Sequence, residues 1–62
     1  MLRKISDRDG DEIEIEALPE RGLVWINFPT EDGDEGPGRA LTIDQTAELI
    51  AALIQAAKEI GR

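Results

Sequence analysis

The 62-residue chain contains no cysteine, no histidine and no tyrosine, and only one serine. Without cysteine and histidine it can form neither disulfides nor the usual zinc sites. Ser6 has no histidine or other evident base to activate it, so a nucleophile–base pair cannot be built. The carboxylates could in principle supply an acid and a base, but they fall mostly on predicted outward faces and loops. We therefore expect no enzymatic activity, no catalytic residue, no metal and no cofactor.

Basic residues are also scarce, because seven Lys and Arg stand against fourteen Asp and Glu, a net charge of −7. This balance disfavours binding to a phosphate backbone or an anionic membrane. No apolar run approaches the ~20 residues of a membrane span. The first four residues lack the apolar core of a signal peptide. We expect a cytoplasmic protein that contacts no membrane, and the charge disfavours nucleic acid as a partner.

The chain is short enough to form one domain, residues 1–62. A core of this size is marginal in a monomer, and small proteins usually add disulfides, metals or oligomerisation. Since disulfides and zinc sites are excluded, we expect this chain to be stabilised by oligomerisation.

Residues 43–60 are predicted to form one amphipathic helix. Thr42 and Gln45 have the spacing of a capping box, and Gly61 is expected to end the helix in the left-handed conformation. The apolar arc is about twice the width that one sheet needs. A first stripe, expected to cover the sheet, comprises Ile43, Ala47, Ile50, Ile54 and Ala57. A second stripe, expected to form the centre of a homodimer interface, comprises Leu49, Leu53, Ala56 and Ile60. The alternative is that alanine is neutral and the wide arc has no consequence.

Three strands are predicted, at about residues 2–7, 11–17 and 23–28. A three-residue hairpin loop with Gly10 in the left-handed position pairs Ile5 with Ile13 and keeps the apolar side chains on one face. The predicted fold is α+β, a three-stranded antiparallel β-meander followed by one C-terminal amphipathic helix packed on one face. Leu41 is expected either to pack where the helix begins or to extend a short edge strand.

The candidate partner contacts are one aromatic residue and one acidic run. Trp25 is predicted on the outward face of the third strand, where it either rests on neighbouring side chains or anchors a partner. Residues 30–38 are predicted to be a solvated, flexible loop, with weak divalent binding or docking to a basic partner as alternatives. Its acidic residues are Glu31, Asp32, Asp34 and Glu35. The series Asp7, Asp9 and Asp11 lacks the later ligands of a calcium loop, so a hairpin turn is expected there.

The segment from Leu41 to Ala57, with Thr42, Gln45, Leu49 and Leu53, resembles the C-terminal helix of many short uncharacterised strand–strand–strand–helix proteins of actinobacteria and their phages. The resemblance covers roughly the last twenty residues and implies no activity.

The predicted function is that of a small, non-catalytic, acidic homodimer that acts by binding another protein, as a phage or bacterial accessory or regulatory factor. A nucleic-acid-associated transcriptional regulator is one alternative, and an acidic mimic of nucleic acid is another. Only Arg3, Lys4 and Arg8 form a basic group, and Glu12, Glu14 and Glu16 lie beside them.

Overall fold

The structure is a computed structural model that describes residues 1–30, 32, 34 and 36–61. Four strands and one helix follow in chain order, and the strands form one antiparallel sheet in the order β1-β2-β3-β4. Their bounds are β1 Leu2–Ser6, β2 Glu12–Leu18, β3 Leu23–Asn27, β4 Gly38–Thr42 and α1 Ile43–Ile60. The α+β class is as predicted, with one more strand in the sheet.

The β1–β2 hairpin has the predicted register. Ile5 is paired with Ile13, and Gly10 has a φ of +88°. The Asp7 N–H donates to the Asp11 carbonyl at 2.8 Å, which leaves the three residues between them as the loop. The matching of apolar faces therefore predicted this register correctly.

The fourth strand corrects the predicted three-stranded sheet. β4 pairs along its whole length with β3, from Leu23 opposite Thr42 to Asn27 opposite Gly38. The backbone of β3 has donors and acceptors on both edges, and β4 satisfies the edge that β2 leaves open. Of the two expectations for Leu41, the edge strand is the one observed.

The register separates the sheet into two faces. Directly paired residues share a face, so the positions opposite one another in all four strands can be assigned. The inner face carries Arg3, Ile5, Ile13, Ile15, Ala17, Val24, Ile26, Arg39 and Leu41. The outer face carries Leu2, Lys4, Ser6, Glu12, Glu14, Glu16, Leu18, Leu23, Trp25, Asn27, Gly38, Ala40 and Thr42.

The helix begins directly after β4 without a linker. Thr42 is both the last residue of β4 and the N-cap, and the capping box with Gln45 is present as predicted. The Gln45 N–H donates to the Thr42 hydroxyl at 3.1 Å, and the Thr42 N–H donates to the Gln45 side chain at 3.0 Å. The prediction for Gly61 was wrong, since its φ is −80°. Its N–H continues the helical pattern to the Ala57 carbonyl, so no left-handed reversal is required.

The expectation that the first stripe of the helix covers the sheet was also wrong. Every residue of the first stripe is exposed, whereas the half-buried helical residues are Thr46 and Leu49. The helix follows β4 directly, and its half-buried residues are confined to its first two turns. Across the described residues, α1 comes within 8 Å, Cα to Cα, of β3 and β4 but not of β1 or β2.

Candidate interaction surfaces

The helix presents an uncovered apolar surface over its last three turns. Leu53 is 60% exposed and Ile60 is 83% exposed, and Ala56 is exposed beside them. The fourth member of the predicted dimer stripe, Leu49, is half-buried within its own chain. Ile50 and Ile54, which were expected to face the sheet, are 53% and 52% exposed. The apolar helix surface is thus wider than the predicted stripe.

A second apolar surface lies on the inner face of the sheet, which sequence reasoning assigned to the helix and so missed as a surface. Between the first turns of α1 and the β1–β2 half of the sheet there is an open groove of about 270 Å³. It is lined by Met1, Arg3, Ile15, Ala17, Val24 and Thr46. Farther along the same face, Ile5 is 51% exposed. Among the described residues, the helix therefore does not lie over β1 and β2 on this side, and Ile13 and Ile15 remain half-buried.

The outer face is built around Trp25, as predicted from the alternation of β3. Trp25 is half-buried and lies opposite Glu16 on one side and Ala40 on the other. Its indole covers Gly38, because a Cβ on that glycine would collide with Cζ2 and lie 2.8 Å from Cη2. The absence of a side chain at Gly38 thus allows the Trp25 indole to approach the backbone of β4 closely.

Asn27 is the one polar residue that is buried among the described residues, with 4% exposure. Its Nδ2 donates to Oε1 of Glu14 at 3.2 Å, across the β2–β3 pair. Its Oδ1 has no partner in the described part of the chain. The bond fixes the Glu14 carboxylate close to the outer face, between Lys4 and Asn27 in the register.

Acidic side chains dominate the outer face along β2. Glu12, Glu14 and Glu16 alternate with the inner residues, and at ~3.3 Å per residue neighbouring members of this row are roughly 6.6 Å apart. Lys4 lies directly opposite Glu14. Arg8 makes the one ion pair among the described residues, with the adjacent Asp9 at 3.1 Å. Arg3 lies on the inner face, opposite Ile15, so the three basic residues near the N-terminus do not form one patch.

The aspartate series at the β1–β2 turn serves the turn itself. Oδ1 of Asp7 accepts the backbone N–H groups of Asp9 and Asp11, each at 2.9 Å. A shallow cleft of about 480 Å³ runs from this turn to Phe28 and Thr30. Within the described part of the chain no three carboxylates have a spacing that could hold a metal ion.

The acidic run after β3 is described only in part. Asp32 and Asp34 are exposed, and the Asp34 carbonyl accepts the Thr30 N–H at 2.8 Å. The predicted contacts Glu31 and Glu35 lie outside the described residues, as does Gly33 of the same loop.

The chain matches no protein-family model, no curated protein and no solved structure. No helix among the described residues has both the length and the apolar character needed to cross a membrane. The function of the protein is therefore inferred from its exposed surfaces.

Proposed function

We infer that the protein is a small, non-catalytic homodimer that acts in the cytoplasm by binding another protein. No hydrophobic side chain is buried among the described residues, and this observation carries the proposal. A folded domain normally encloses part of its Ile, Leu, Val and Phe side chains. Here the large apolar side chains of the inner face are half-buried or exposed, most of those of the helix are exposed, and a second copy would supply the missing cover.

The exposed area supports the same conclusion. The chain exposes 5290 Å², whereas a folded monomer of 6.8 kDa is expected to expose about 4,000 Å². The excess, about 1,300 Å² per chain, is larger than the ~800 Å² that each partner contributes to a protein–protein interface of standard size.

The outer face supports binding to a partner with a basic surface. The glutamate row along β2 lies beside Trp25, and an aromatic face next to carboxylates favours an Arg or Lys side chain through both charge and cation–π attraction. This arrangement would also suit an acidic mimic of nucleic acid that occupies a basic cleft. The helix resemblance adds support for a phage or actinobacterial accessory factor.

Sedimentation of three forms tests the dimer. We expect the wild-type chain to be a dimer at high micromolar concentration and Leu53→Glu to be monomeric, because two unpaired carboxylates would be buried in the dimer at a cost of about 3–5 kcal/mol. Gln55→Glu adds the same charge to the solvated side of the helix and should remain dimeric. A monomeric wild-type chain contradicts the proposal, and so does a Leu53→Glu variant that folds and stays dimeric.

Titration with an arginine-rich peptide, followed by the fluorescence of Trp25, tests the outer face. The double variant Glu14→Gln/Glu16→Gln should bind about fivefold more weakly than wild type, as expected for the loss of two exposed ion pairs. The control, Glu20→Gln/Glu59→Gln, loses the same net charge at the β2–β3 turn and the end of the helix. If both doubles weaken binding equally, only the net charge attracts the peptide and the outer face is not the site.

A further inference from the structure

We propose that the homodimer forms by reciprocal insertion, in which the helix of each copy lies in the groove between the helix and sheet of the other copy. This inference presupposes the homodimer proposed above and specifies the surface that a second copy occupies. It joins the two uncovered apolar surfaces, the helix around Leu53 and the inner face around Ile15, into one self-complementary interface.

The chain does not close the groove with its own helix. Thr42 ends β4 and caps α1 in a single residue, and the Thr46 hydroxyl donates to the Thr42 carbonyl at 2.8 Å. The direction in which the helix leaves the sheet is therefore fixed by strand pairing on one side and by the capping box on the other. No linker residue is available through which α1 could swing down onto β1 and β2.

Helix-to-helix contact alone would leave the inner face of the sheet exposed. Such a dimer would cover Leu53, Ala56 and Ile60, but Ile5 and the groove around Ala17 would still face solvent. A helix with its side chains is about 10–12 Å across and α1 is about 27 Å long, so a partner helix could cover the β1–β2 half of the sheet. In a dimer with two-fold symmetry, the helix of each copy would cover the groove of the other, so that one interface buries both helices and both grooves.

Charge at the groove also fits this occupant. Arg3 lines the groove and has no ion-pair partner in the described part of its own chain. At about 100° per residue, Glu48 and Glu59 lie beside Ala52 and Ala56, at the border of the apolar surface of the helix. A second copy of α1 would therefore bring apolar side chains to Ile15 and Val24 and carboxylates toward the rim on which Arg3 lies.

Disulfide cross-linking between two single-cysteine chains tests the geometry, because the protein has no cysteine of its own. One chain carries Ala17→Cys on the inner face, and the other carries a helix cysteine, Ala47→Cys in one series and Ala57→Cys in a second. The Ala17→Cys variant is mixed with one helix-cysteine variant and mildly oxidised. A disulfide between the two different variants can form only between two copies of the protein. We expect this product in at least one series.

The control is Glu16→Cys, the adjacent residue of β2 on the outer face. Its mixed cross-link with the same helix cysteines should form at least about tenfold more slowly, since side chains of neighbouring strand residues point to opposite faces.

Two outcomes overturn the proposal, and they are distinguishable. If sedimentation shows that the wild-type protein is a monomer, both the homodimer and reciprocal insertion are contradicted. A dimer whose Ala17→Cys chain cross-links to the helix no faster than the Glu16→Cys chain retains the proposed function but excludes reciprocal insertion, and cross-links restricted to helix cysteines would indicate helix-to-helix pairing instead.

Discussion

Single residues determine the shape of the outer face. Gly38 leaves the space that the Trp25 indole fills, and Asn27 holds the Glu14 carboxylate beside it. Trp25 could be assigned to the outward face from the alternation of β3 alone. Its contact with Gly38 could not, because that contact depends on a strand that the sequence predicted only as one of two alternatives.

Gly38→Ala tests the contact between Trp25 and β4. Gly38 does not have a positive φ, so alanine is compatible with the backbone and the effect of the change comes from the collision. We expect the free energy of unfolding to fall by about 1–3 kcal/mol, the usual cost of overpacking, and the emission of Trp25 to shift to the red as the indole moves into solvent. Urea unfolding and fluorescence measure the two effects.

The same substitution in a Trp25→Leu background is the control. There it should cost less than about 0.5 kcal/mol, because the ring that it displaces is absent. An equal cost in both backgrounds would instead implicate the Ile26 carbonyl, which lies 3.0 Å from the added Cβ.

Among the secondary-structure elements, the hairpin and the helix bounds could be predicted, because local signals determine them. Alternation along β2 and the left-handed Gly10 set the β1–β2 register, and Thr42 with Gln45 set the start of the helix. β4 carries a weaker signal. Its five residues include a glycine and an arginine, and its place in the sheet comes from the open edge of β3 rather than from its own sequence.

The orientation of the helix was not predictable in the same way. Periodicity identifies the apolar residues of α1 but does not say which of them meet the sheet. The direction in which the chain leaves β4 decides that, and it brings Thr46 and Leu49 near the sheet while Ile50 and Ile54 remain outside. The candidate interface was thus anticipated at Leu53, Ala56 and Ile60, whereas the open groove on the inner face followed only from the tertiary arrangement.

For the whole molecule, net charge and exposed apolar area have opposite effects on the association of two copies. The net charge of −7 makes two copies repel each other, while the excess apolar surface favours their association. The carboxylates of β2 lie on the outer face, away from the inner face and the groove. Two copies can therefore bury their apolar surfaces and keep most of their negative charge in water, where salt screens it.

Folding coupled to association makes thermal stability depend on protein concentration. Because no hydrophobic side chain is buried in the described part of a single chain, most of the stabilising burial would arise when two copies meet, and mass action would then add to the stability of the folded state. A hundredfold increase in concentration contributes about 2.7 kcal/mol. With the average unfolding entropy per residue for two chains of this length, Tm should rise by roughly 10 °C. Circular dichroism at low and high micromolar concentration measures this shift in Tm.

The Leu53→Glu variant is the control, since the Tm of any transition that it retains should not change with concentration. A wild-type Tm that is the same at both concentrations would mean that the single chain is stable without a partner, and would contradict coupled folding.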